Sequence, residues 1–168
     1  MAQHEINGIR TEVETRGSEE APAFLLIRGL SSQLIHWPEV FLARFVEAGF
    51  RVVVFDNRDV GKSTKFSAAG IPSMPITLAG EIEAPYSVAD MAAVFTDTTR
   101  ADRLAEIEIP FFVLHGSADP LIPPACVADT AKRVRAARFE VIEGMGHDIT
   151  VANSLIVAAA LIGFARRA

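Results

Sequence analysis

Arg51-Val52-Val53-Val54-Phe55-Asp56-Asn57-Arg58-Asp59-Val60-Gly61-Lys62-Ser63-Thr64 is the stretch on which the fold turns. Arg51 to Phe55 (Arg-Val-Val-Val-Phe) reads as a buried strand, and it ends in a charged loop. Upstream, Trp37 to Ala48 carries Trp37, Phe41, Leu42, Phe45 and Val46 at helical spacing, and Gly49 supplies a C-terminal stop. Before that helix, Ala23 to Ile27 (Ala-Phe-Leu-Leu-Ile) is a second apolar run expected to be buried on both faces, ending at Gly29. Farther upstream, His4 to Arg16 alternates polar and apolar residues around Asn7-Gly8, the pattern of a β-hairpin with a tight turn.

Downstream of the opening stretch, Gly61 to Pro85 is rich in glycine, proline and serine, and Ser87 is a good N-cap for a helix over Val88 to Val94. Arg100 to Glu106 is short, charged and expected to be helical. Phe111 to Leu114 is a third buried strand, Ala125 to Ala136 an amphipathic helix, Arg138 to Ile142 a fourth strand and Thr150 to Arg167 a terminal helix. Strands alternating with helices predict an α/β protein: a three-layer αβα domain, with a mostly parallel sheet of about six strands and the N-terminal hairpin at one edge.

The bulk properties narrow the function. The 168 residues are enough for one domain with a core of its own, and half of them are hydrophobic, which excludes a disordered chain. Sixteen basic against 21 acidic side chains give a net charge of −5, the wrong sign for a nucleic-acid binder. A single cysteine, Cys126, excludes an internal disulfide and an all-cysteine metal site, and fits a reducing, cytoplasmic setting. Residues 1–20 lack the apolar core of a signal peptide, and the run from Leu155 to Phe164 is too short to span a bilayer, so no membrane partner is expected. His4, His36 and His115 are scattered without ligand spacing, so no metal and no cofactor is expected. Val60-Gly61-Lys62-Ser63-Thr64 imitates the end of a P-loop, but the first glycine of that motif would fall at Asp56, and Asp59 adds negative charge where phosphates would sit.

In parallel sheets, sites form at the carboxyl ends of the strands. The segments there are Arg28-Gly29-Leu30-Ser31-Ser32-Gln33, Asp56 to Thr64, His115-Gly116-Ser117-Ala118-Asp119-Pro120 and Glu143-Gly144-Met145-Gly146-His147-Asp148. With the helix start at Trp37-Pro38, these motifs in this order resemble the α/β-hydrolase superfamily, in particular bacterial members related to the aclacinomycin methylesterases. The resemblance covers most of residues 4–94 and 100–168. It implies that Asp119 is the acid that orients a histidine, that His147 is the general base, and that Gly29 and Leu30, with Ser32 beside them, form the oxyanion and substrate loop. It also implies that Asp56 to Gly61 is a structural loop beneath the site, held by acid–arginine pairs.

The same resemblance places a Gly-x-Ser-x-Gly nucleophile elbow between the helix near Ser87 and the strand at Phe111, and no such motif occurs anywhere in the sequence. The elbow strand, its helix, the next strand and the lid read as one missing internal block. The chain is then a single truncated domain, with an N-terminal half (1–94) carrying the oxyanion loop and a C-terminal half (95–168) carrying the acid and histidine loops. Of nine serines, Ser31 alone follows a buried strand, has a glycine two residues before it and precedes a helix, in the chain order Ser31, Asp119, His147. Against it, Gln33 stands where the elbow needs its second glycine, and the family reading of this loop is oxyanion hole. Ser117 is expected to cap its own loop, and Cys126 to be a buried, inert small residue.

Closure of the sheet around the missing block predicts the strand order 1-2-4-3-5-6, with the Phe111 strand paired beside the Ala23 strand. The terminal helix, apolar all round, predicts a homodimer through it; a helix wedged between the sheet and the Gly61–Pro85 loop is the alternative. Function reads as a weak hydrolase of small carboxylic esters with a serine–histidine–aspartate mechanism and a non-standard nucleophile. The alternatives are a catalytically inactive remnant or engineered minimal fold acting as a binding or structural module, and a small-ligand receptor on the same scaffold.

Overall fold

The computed structural model describes residues 1–6, 8–29, 32–65 and 103–168. The hairpin forms β1 (Ala2–Ile6) and β2 (Ile9–Arg16), antiparallel, with Ile6 opposite Ile9 across the turn. β3 (Ala23–Leu26) and β4 (Arg51–Phe55) pair in parallel, joined by a single 3-10 turn at Leu34–His36 and helix α1 (Glu39–Glu47). β2 runs antiparallel to β4, so the four strands order as β1-β2-β4-β3. A second 3-10 turn at Leu104–Glu106 precedes β5 (Phe112–Gly116), helix α2 (Pro124–Arg133), β6 (Arg138–Ile142) and helix α3 (Ser154–Ala165). β5 and β6 are parallel, with His115 opposite Val141. The expected helix over Val88 to Val94 and most of the Gly61–Pro85 stretch lie outside the described residues.

All six strands form and the order within each group is as expected, but among the described residues they make two sheets, not one. Among the described residues no ladder joins β3 to β5, which corrects the predicted closure. Side-chain packing makes the connection instead. Val157, Ala158 and Ile162 of α3 are buried in one cluster with Phe41, Leu42 and Phe45 of α1 and with Leu26, Val52 and Val54 of the sheet. Leu114 at β5, Ile142 at β6 and Met145 pack against the same cluster. Among the described residues, dispersion and hydrophobic burial in this cluster connect the two sheets.

α1 shows why the pattern was readable. Phe41 and Phe45 sit one turn apart and both are fully buried, together worth roughly 3–6 kcal/mol of transfer free energy. Phe41 also stacks on Trp37 at 5.4 Å and meets Phe45 edge-on at 5.0 Å. The expectation that β3 is covered on both faces fails: Leu25 and Ile27 are 57% and 64% exposed. Leu26 packs toward α1 and α3, and among the described residues no helix packs on the opposite face of β3. α3, apolar all round, likewise buries one side and leaves Leu155 and Ile156 more than half exposed.

Candidate functional site

The Asp119 carboxylate is set by its own backbone. It follows β5 in a tight turn, where Oδ1 accepts the N–H groups of Leu121 at 2.8 Å and Ile122 at 3.0 Å. Oδ2 faces the loop after β6 and lies 2.9 Å from His147 Nδ1. The aspartate side chain is 3% exposed, the histidine ring 45%. Burial pushes the Asp119 carboxyl up, but the N–H of Ile122, the contact with His147 and the N–H of Leu121 outweigh it and hold the group at about 2. An ionised carboxylate has no proton to give, so the bond assigns the proton to His147 Nδ1 and leaves Nε2 as the basic nitrogen. Among the described residues Nε2 has no hydrogen-bond partner.

Backbone contacts between the two loops fix this pair. Ser117 N–H donates to Ile142 O at 3.0 Å and Ala118 N–H to Met145 O at 3.0 Å. Ser117 Oγ accepts the N–H of Gly144 at 2.8 Å, so its hydroxyl fastens the histidine loop to the acid loop. At Gly116 the loops approach so closely that a Cβ would stand 2.1 Å from Met145 O. No other residue type fits there without separating them. Beyond His147, Asn153 closes the turn into α3, accepting the N–H of Thr150 at 2.8 Å and donating to Asp148 O at 3.0 Å.

The loop after β3 is held from below. Asp56, 3% exposed, accepts the N–H of Leu34 at 2.8 Å through Oδ1 and the N–H of Lys62 at 2.9 Å through Oδ2. Ser63 Oγ donates to Asp56 O at 2.7 Å and accepts the N–H of Glu12 at 2.9 Å, tying the loop to β2. Gly61 lies so near Asp56 that a Cβ would stand 1.8 Å from Oδ2. The Asp56–Thr64 segment is therefore a scaffold, in which Asp56 works through backbone amides. Arg28 donates to His36 O at 2.9 Å, its guanidinium lies 4.6 Å from the Trp37 ring centroid, and Arg28 O accepts from Asn57 Nδ2 at 3.1 Å.

The structure thus brings Asp119 and His147 together. Ser31 and Leu30 lie outside the described residues. Of their neighbours, Ser32 N–H donates to Gly29 O at 3.3 Å, and neither bonds to Asp119 or His147. Cys126 is exposed, a correction to the buried residue expected, because none of α2 is fully buried and this position faces solvent. Among the described residues no three histidine, cysteine or acidic side chains are grouped to hold a metal ion. No described helix is long and apolar enough to cross a membrane. Sequence reading missed the amides of Leu121 and Ile122, because any residue carries an N–H. It also missed His115, whose only signal was its place four residues before Asp119.

With parallel β3–β4 and β5–β6 pairs and a helix between the strands of each pair, the chain has the α/β-hydrolase fold of the solved structures on which it superposes. No protein-family model matches the sequence. A non-heme haloperoxidase from Rhodococcus erythropolis is 35% identical over 71 residues, which are 42% of this chain and 26% of that protein. The match therefore spans about a quarter of that relative's length. Among solved structures, a bromoperoxidase from Bacillus anthracis superposes with a TM-score of 0.73 at 17% identity, covering 98% of this chain and 99% of that one. An α/β-hydrolase enzyme from a Medee basin deep-sea metagenome library gives 0.70 at 12% identity, covering 98% and 97%.

Proposed function

We propose that this protein is a hydrolase of small carboxylic esters with low turnover, in which His147 is the general base and Asp119 its orienting acid. The observation that carries this reading is the 2.9 Å contact between Asp119 Oδ2 and His147 Nδ1, with Asp119 Oδ1 already engaged by two backbone amides. That arrangement holds the ring in one tautomer, directs Nε2 away from the acid and stabilises the imidazolium formed during reaction. Ser31 is the nucleophile in this reading. His147 Nε2 takes the hydroxyl proton as Oγ attacks the acyl carbon, then returns it to the departing alkoxide, and water hydrolyses the acyl-enzyme by the same route. The loop of Gly29, Leu30 and Ser32 meets the acyl oxygen. The chain is a truncated single domain, working without metal or cofactor in the cytoplasm. The exposed Leu155 and Ile156 on α3 support a homodimer through that helix.

Turnover of p-nitrophenyl acetate by the wild type, Ser31→Ala and His147→Ala tests the chemistry. Both variants lose roughly 10²-fold or more if the reading holds. Equal rates in all three remove it. A fluorophosphonate probe followed by peptide mass spectrometry reports which serine, if any, is labelled. The second reading, a catalytically silent binding module, is favoured by one observation: no Gly-x-Ser-x-Gly occurs in the sequence. A chain that leaves the probe unreacted supports it. Light scattering after size exclusion tests the dimer, and a clean monomer removes it.

A further inference from the structure

Asp119 has a second histidine beside it. His115 sits on β5, its side chain 11% exposed, four residues ahead of the acid. Its Nε2 lies 3.0 Å from Ile122 O and 3.7 Å from Asp119 Oδ2. A carbonyl oxygen only accepts, so the shorter contact assigns a proton to His115 Nε2 and makes it the donor. The longer distance is beyond a hydrogen bond. Ile122 is therefore held from both sides: its C=O by His115, while its N–H holds Asp119 Oδ1 at 3.0 Å.

We infer that His115 is a positioning residue for the Asp119–His147 pair, acting through Ile122. The carboxylate sits on a loop, and loops do not by themselves hold a side chain to fractions of an ångström. His115 is on a strand whose ladder to β6 fixes it opposite Val141, so it transfers the rigidity of the sheet to the turn. It does a second thing by spending its N–H on Ile122. The same N–H, if freed, would be the nearest competitor of His147 for Oδ2. With both amides on Oδ1 and the His115 proton on Ile122, Oδ2 is reserved for His147. The consequence for hydrolysis rests on the catalytic role proposed above for the pair; the positioning itself does not.

Nitrogen-15 shifts of the His147 ring measure the tautomer ratio directly, at about pH 9 where an ordinary imidazole is neutral. The wild type is expected to hold His147 mainly as the Nδ1–H form, and Asp119→Ala to revert to the Nε2–H form that free imidazole prefers in water. His115→Leu lowers the Nδ1–H to Nε2–H ratio by roughly threefold or more. His115→Gln, whose amide reaches Ile122 O, restores most of it. A His115→Leu protein with the wild-type ratio, alongside an Asp119→Ala protein that has lost it, overturns the inference. Should His115→Leu not fold, His115→Asn is polar but too short to reach Ile122. It must show the same lowered ratio, and a wild-type ratio there overturns the inference equally. A protein inactive on esters whose ratio still responds to His115 removes the hydrolase reading alone. Ester turnover with a ratio indifferent to His115 removes only the role of His115.

Discussion

Asp56 and Asp119 each stand at the carboxyl end of a parallel strand, each with its carboxylate turned out of solvent, and each bonded first to backbone amides. Asp56 spends one oxygen on Leu34 and the other on Lys62, both main-chain N–H groups. Asp119 places both of its amide contacts on one oxygen and keeps the other for a half-exposed imidazole. The first use closes a loop and has nothing left over. The second leaves one acceptor over and gives it to a side chain that reaches solvent. The same residue type in the same kind of position thus closes a loop in one half of the molecule and holds an imidazole in the other. What separates them is where the second oxygen goes.

This contrast can be broken experimentally. Its largest expected effect is on activity: His147→Ala lowers ester turnover by about 10² to 10⁴-fold while the urea midpoint moves little, because the ring is half exposed. Asp56→Ala does the reverse in origin. It leaves two amides, those of Leu34 and Lys62, without their acceptor, and unfolding in urea should show a loss of about 2–5 kcal/mol. If Asp56→Ala proved as stable as the wild type, the two aspartates would not differ as described. Next in size is Gly116→Ala, whose Cβ meets Met145 O. Pushing the loops apart should cost about 1–3 kcal/mol in urea and reduce turnover together with stability.

Acid titration sharpens the same point. Asp119 is held at about 2 in the folded state against the usual carboxylate value near 4 in the unfolded chain. A depressed folded value means that its contribution is fully present above about pH 4 and is lost as pH falls toward 2. The pH dependence of thermal unfolding between those limits should flatten in Asp119→Asn, and an unchanged slope would count against the paired geometry. The smallest effect is expected for Ser117→Ala. It removes one exposed hydroxyl that accepts from Gly144 and should cost about 1 kcal/mol in urea, with turnover falling only as far as the histidine loop loosens.

How much of this was legible follows from which interactions are local. The hairpin, all four later strands and α1 could be read because Asn7-Gly8, the apolar runs and the Phe41/Phe45 spacing are properties of adjacent residues. Asp119 and His147 were legible only through the family's motif, since nothing local says that residues 28 apart will meet. The expected β3–β5 ladder is not made among the described residues, since pairing between distant strands is not a property of adjacent residues. Leu25 and Ile27 looked buried because an apolar run announces a strand without saying how many of its faces are covered. α3 gave no face at all, since a uniformly apolar helix has no direction to read; the structure supplied it by burying Val157, Ala158 and Ile162 and leaving Leu155 and Ile156 outside. Cys126 was misjudged from residue type alone, and only its place on the exposed α2 corrected it.

The absence, among the described residues, of a ladder between the two sheets has a bearing on tolerances. Hydrogen-bonded strands register in whole residues, so a paired sheet would fix the spacing between its loops in discrete steps. Here, among the described residues, buried side chains of α3 connect the acid–histidine half to the rest of the core, and bulk varies by single methyl groups. Ala158, wholly enclosed, is the smallest of these spacers. The offset between the loop after β3 and the loops after β5 and β6 is therefore an adjustable dimension of this molecule, one that residue size on a single helix can set.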